Sequence, residues 1–246
     1  MAVDLDPRPT SVVAIVRRRS DCLESKSDWS DIEPEALFDL ATPWRTFRWY
    51  HGQKHYSGAY WSSTERALVI YKSRLGLDRL LLADFDRSVR RILAQPFLLE
   101  ADVAGERRSH VPDYLVLSDD GPIVVDVKPI RRLSNPDSAF TLAWTRQAVE
   151  SRGWGYQVVS EPAEPELSNI RFLAGYRRDW LFDDEVLGDL RSVDLHGATL
   201  GLAFQCLPAR PEGVVRSAVL HLWWRHDFTI DLSRTLSSRS VLGMRS

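Results

Sequence analysis

The chain has 246 residues, a formal net charge of −2, a 44% hydrophobic share, nine Trp and two Cys. This length suits one large domain or a core domain with a smaller one, and the apolar share excludes an intrinsically disordered chain. No run of about 18 apolar residues occurs, so neither a membrane span nor a membrane partner is expected.

Cys22 and Cys206 lack the spacing of a disulfide framework or a metal site, which points to a reducing, cytoplasmic compartment. The short apolar patch near the start precedes Arg17-Arg18-Arg19, the reverse of a signal peptide's order. The charge balance carries no global signature of nucleic-acid binding. The cations are nevertheless clustered, at 17–19, Arg90-Arg91, Arg107-Arg108, Arg131-Arg132 and Arg177-Arg178.

Taken in order, residues 1–43 read as irregular, with Pro7, Pro9, Pro34 and Pro43, apart from a short helix over 34–40 opened by its proline. Residues 46–62 are aromatic and basic, broken by glycine. They read as a hairpin packed on the core rather than as a surface for stacking bases, and His51 and His55 are assigned no metal role. Ser62-Ser63-Thr64-Glu65 offers a helix N-cap, and the apolar spacing behind it predicts a helix to about Phe85. A second helical piece over 86–93 ends before Gln95-Pro96, a strand follows over 97–103, and residues 104–107 form its turn.

Two apolar runs, 111–117 and 123–128, flank Ser118-Asp119-Asp120-Gly121, and Asp-Gly between apolar runs is a strong hairpin signal. Side chains alternate along a strand, so Asp126 and Lys128 share one face and Val127 takes the other. Either two-residue loop puts Asp113 on the face of Asp126 and Lys128. Two carboxylates and an ammonium on one face suit metal-assisted hydrolysis: the carboxylates hold Mg²⁺ or Mn²⁺, and the lysine orients or deprotonates the attacking water or neutralises the phosphate. Arg131-Arg132 directly follows this strand and is the best candidate among the arginine pairs for touching DNA phosphate.

A helix over 136–153 and a strand over 154–160 complete an order of helix, three strands, helix, strand, which fits a mixed sheet flanked by helices. Pro162 and Pro165 mark a boundary. Beyond it helices are expected over 169–178, 183–190 and 214–225, a strand over 199–206, and a strand or wing over 227–232, together a small winged-helix-like module. The division is an N-terminal extension (1–55), an α/β core (56–165) and a C-terminal module (166–246).

Pro112-Asp113 followed by Asp126-Val127-Lys128 resembles the PD-(D/E)xK nuclease signature, and the element order resembles its restriction-endonuclease-like core. With Ser73-Arg74-Leu75, Asp84-Phe85-Asp86, Gln95-Pro96, His110-Val111 and Pro129, residues 56–178 look like TnsA, the endonuclease subunit of heteromeric transposases. The resemblance implies hydrolysis of the 5′ strands at transposon ends, with a TnsB-like recombinase and a TnsC-like ATPase as partners. It implies metal ligation by Asp113, Asp126 and the Val127 carbonyl, with Lys128 acting on water. The family also carries a Glu in a Ser-x-Leu-Glu pattern on the long helix; here the pattern reads Ser73-Arg74-Leu75-Gly76. Two functions are therefore expected. One is a metal-dependent DNA endonuclease subunit. The other is a catalytically weakened or inactive nuclease-fold subunit that binds DNA ends and recruits the transposase partners.

Overall fold

Strand β1 (Pro9–Arg17) turns back into the polar β2 (Glu24–Asp28), and helix α1 (Pro34–Leu40) follows with its proline in the first turn. The computed structural model describes residues 7–45 and 56–244. His51, His55 and most of the aromatic-basic stretch lie outside the described residues. Its end forms β3 (Gly58–Ser62), which pairs with β4 (Ala67–Tyr71).

The helix expected from Ser62 begins later, at α2 (Arg74–Phe85), capped by Ser73. The Ser-Ser-Thr signal is used otherwise. The Ser62 and Ser63 hydroxyls and the Ser63 and Thr64 amides all donate to the carboxylate of Asp84, at the far end of α2. Their donors close a hairpin turn instead of capping a helix. The helical piece expected over 86–93 is a strand, β5 (Val89–Ala94), because β8 offers it a ladder.

Strands β6 (Leu98–Val103) and β7 (Glu106–His110) form a hairpin around Ala104-Gly105, both at positive φ. Next come β8 (Tyr114–Ser118), β9 (Gly121–Val127), the short α3 (Ile130–Leu133), α4 (Pro136–Glu150) and β10 (Gly155–Val159).

Two four-stranded sheets result, in the orders β2-β1-β6-β7 and β10-β9-β8-β5. The first is antiparallel throughout; in the second, β10 runs parallel to β9 and the other pairs are antiparallel. The chain leaves the second sheet at Gln95-Pro96-Phe97 and returns at Val111-Pro112-Asp113. Proline cannot donate to a ladder, so these corners end the strands. One core joins both sheets: Ala14, Leu99, Ala101 and Val103 from the first and Leu93, Leu115 and Val124 from the second cluster with Trp29, Phe97, Trp144 and Trp154. The amphipathic faces therefore decide the architecture, a mixed α/β core flanked by helices.

Residues 1–161 form one compact unit and 162–246 another. The second contains α5 (Glu166–Leu173), α6 (Asp184–Ser192), α7 (Leu200–Ala203) and α8 (Glu212–Trp224), with β11 (Phe228–Thr229) paired to β12 (Gly243–Met244). The strand expected over 199–206 is instead a short helix followed by a turn: Thr199 caps α7 through the Leu202 amide, and only Thr199 itself bridges to Val241. Buried Val215, Val219, Leu222 and Trp223 make α8 the centre of this unit. Among the described residues no helix is long and apolar enough to cross a membrane.

Candidate functional site

The β8–β9 hairpin closes through Ser118 and Gly121, so Asp119-Asp120 is the two-residue loop. This register places Tyr114 opposite Val125 and, continued by one residue, would set Asp113 opposite Asp126. Asp113 lies just before β8, and its N–H donates to the Val125 carbonyl at 3.1 Å. Both carboxylates, of Asp113 and Asp126, lie close enough to the Tyr156 hydroxyl to raise its pKa, Asp126 the more strongly. They are directed to different partners.

Asp113, 4% exposed, accepts the Val127 N–H on Oδ2 at 2.7 Å. Its Oδ1 is ion-paired with the ammonium of Lys72, which stands between β4 and α2. The Asp113 carbonyl accepts the N–H of Gln95, held at φ +48° at the corner after β5. Gln95 also receives the Trp44 N–H on its carbonyl and the Arg45 N–H on Oε1, at 3.2 and 2.9 Å. One corner residue thus ties the Asp113 backbone to the segment that carries Arg45.

Asp126 is fully buried, and both its oxygens accept from His110 Nε2, at 2.8 and 2.9 Å. An ionised carboxylate only accepts, so the proton lies on Nε2. The Tyr156 hydroxyl donates a second bond to Oδ2 at 2.6 Å. Burial pushes the Asp126 pKa up; the bonds from His110 and Tyr156 and the charges of His110 and Lys128 outweigh it, leaving the carboxyl below its ordinary range. Burial and the neighbouring Asp126 raise the Tyr156 pKa, so this hydroxyl keeps its proton and serves as a donor.

Lys128 follows β9 and is held by its backbone, the N–H on the Val159 carbonyl and the carbonyl accepting from the Ser160 hydroxyl. Its side chain lines an open cleft of about 250 Å³ with Arg45, Lys72, Gln95, His110 and Asp113. Val127 contributes its N–H to Asp113. Arg131 and Arg132 are exposed on α3, directly after Lys128.

Gly76 lies in the first turn of α2, where its N–H bonds the Ser73 hydroxyl and its carbonyl accepts from the Tyr114 hydroxyl at 3.2 Å. A Cβ at this position would meet the Tyr114 oxygen at 3.1 Å. Position 76, where the resemblance would put a carboxylate, is thus in a helix turn that contacts β8 through Tyr114, the residue after Asp113. Glu65 lies elsewhere, accepting the Ile92 N–H and pairing with Arg91.

A hard divalent ion takes about six oxygen ligands and bridges to substrate through open positions. Here every oxygen of Asp113 and Asp126 already accepts from a protein donor, and one donor is a full positive charge. Among the described residues no group of three His, Cys, Asp or Glu side chains is arranged around a common metal position. The donor set as placed does not fit such an ion. His110, Tyr156 and Lys72 complete this site, and none was assigned a role in it from sequence. The parallel register that brings Tyr156 beside Val124, two residues from Asp126, is a tertiary fact.

Comparison with protein-family models and with curated proteins gives no match.

Proposed function

We infer that this chain is a DNA-end-binding subunit on a restriction-endonuclease-like core that has lost, or nearly lost, strand cutting. One observation carries the reading: the Asp113 carboxylate that would hold the metal holds the Lys72 ammonium. Gly76 beside Tyr114 supports it, because the third carboxylate is replaced by a packed contact. The mixed sheet, with α4 connecting β9 to the parallel β10, supports the core assignment.

In the second unit the succession α6, Thr199 bridged to Val241, α7, α8, β11, β12 follows the order of a winged helix. Such a module suits contact with DNA or with a transposase partner. The subunit would bind transposon ends and recruit a TnsB-like recombinase and a TnsC-like ATPase.

A second reading, the Mg²⁺- or Mn²⁺-dependent 5′-strand endonuclease, is favoured by the shared cleft of Asp113, Lys128 and His110. One assay separates them. The full chain is combined with its cognate partners and end DNA, and 5′-strand cuts are scored with Mg²⁺ or Mn²⁺. Cutting by the parent no higher than by Asp113→Ala is expected; Asp113-dependent cutting would establish the nuclease instead.

A further inference from the structure

The cleft beside Asp113 is lined by three cations, Arg45, Lys72 and Lys128, against a single carboxylate. Lys72 is 43% exposed at its side chain while Asp113 is 5% exposed, so the pair presents its ammonium outward and keeps its carboxylate inside. An ammonium has three donors, and Asp113 takes one of them. Gln95 fixes the backbone that carries Arg45 at the same rim. Arg131 and Arg132 are exposed on α3, the helix that follows Lys128, with the Glu161 carboxylate near Arg131. Three cations around one open cleft, with two more on the helix that follows Lys128, fit a polyanion better than a free phosphate ion.

We propose that Lys72 is a built-in cation that replaces the divalent ion, seating one DNA backbone phosphate together with Lys128 and Arg45 in a metal-independent site. The proposal rests on the non-cutting reading above. A metal ion binds phosphate and also acidifies a coordinated water. An ammonium supplies the charge and hydrogen bonds but no coordination position for water. The same substitution that keeps the phosphate contact thereby removes the means of making hydroxide. The Asp113 carboxylate holds the ammonium in place, much as it would hold a metal.

The test is anisotropy of a short labelled duplex with the full-length protein across a salt series, in EDTA and in Mg²⁺. The parent is expected to bind equally in both. Lys72→Met is expected to weaken binding about tenfold, the size of one charge-assisted contact. It should also lower the slope of log K against log salt by about 0.9, one phosphate contact. Lys72→Arg keeps the charge and should stay within about twofold of the parent, while Asp113→Asn, which keeps an oxygen acceptor for the ammonium and removes only the negative charge, should bind at least as tightly as the parent.

Binding that vanishes in EDTA and returns with Mg²⁺, or that Asp113→Asn abolishes, overturns the proposal in favour of a metal site. Lys72→Met binding like the parent overturns it too, as does calorimetry in which inorganic phosphate depends on Lys72 but DNA does not. Asp113-dependent strand cutting overturns the non-cutting reading; the EDTA and Lys72 results then decide the phosphate seat separately. No DNA binding by the parent rejects both.

Discussion

Asp84 and Asp113 are both buried carboxylates on the same unit, yet their surroundings differ in kind. Asp84 accepts from the hydroxyls of Tyr60, Ser62 and Ser63 and from the amides of Ser63 and Thr64, all uncharged donors from one hairpin. Asp113 accepts one amide and one ammonium, and the ammonium stands at the edge of a cleft lined with further cations. The first arrangement spends every bond on closing the β3–β4 turn against the end of α2. The second leaves a charged group with donors to spare. Burial alone does not mark a functional carboxylate; the charge of its partner and that partner's access to solvent do.

The largest effect that sharpens this contrast is on stability. Asp84→Ala strands a group of buried donors at once, and a loss of about 3 kcal/mol is expected from urea denaturation. Asp113→Asn retains an acceptor for the Val127 N–H and gives up only a pair whose cation is 43% exposed, so about 1 kcal/mol is expected. Equal losses at the two positions would mean that Asp113 is also a structural brace.

Asp126 supplies the next test, because its stabilisation depends on pH. Its folded pKa lies below the ordinary 3.8, so the charged form is favoured in the folded state. The contribution is therefore complete above 3.8 and is lost as pH falls through the depressed folded value. Tyr156→Phe removes one hydrogen bond to that charge and should cost about 2 kcal/mol at neutral pH. The gap between parent and variant should narrow in acid, once Asp126 is protonated. A gap independent of pH would show that the Tyr156 hydroxyl acts through packing rather than through the carboxylate.

Local signals were read well where neighbours in sequence decide the structure. Pro34 in a first turn marked α1, and Asp-Gly marked the β8–β9 hairpin, whose loop proved to be Asp119-Asp120, one of the two that the sequence left open. They failed where distant residues decide. Ser62-Ser63-Thr64 has the composition of a helix cap, but Asp84 recruits its donors; the strand β5 exists because β8 lies beside it. Strands β1 and β2, in the stretch read as irregular, follow the same rule, since β2 is five polar or charged residues, Glu24–Asp28, that form a strand only by pairing with β1. At the site, Asp113, Asp126 and Lys128 were legible as a motif. The Lys72 partner of Asp113 was not, because nothing in a period-two pattern announces an ion pair from outside the hairpin.

The smallest expected effect concerns Gly76, where two terms oppose each other. Replacing a helical glycine by alanine gains up to about 1 kcal/mol of backbone entropy. Against that, the new Cβ would lie 3.1 Å from the Tyr114 hydroxyl oxygen. Gly76→Ala is therefore expected to be neutral or slightly destabilising alone, and stabilising by about 0.5–1 kcal/mol in a Tyr114→Phe background, where that oxygen is gone; the double-mutant cycle measures the difference. Additive changes would place the crowding elsewhere. The same geometry dictates how a restored carboxylate must be judged. Position 76 is the third residue after the Ser73 cap, the place where Glu reaches back to the cap's own N–H. Gly76→Glu can thus gain stability with no metal at all. Only strand cutting, with Lys72 also exchanged for a neutral residue, would separate a metal ligand introduced at 76 from a better cap.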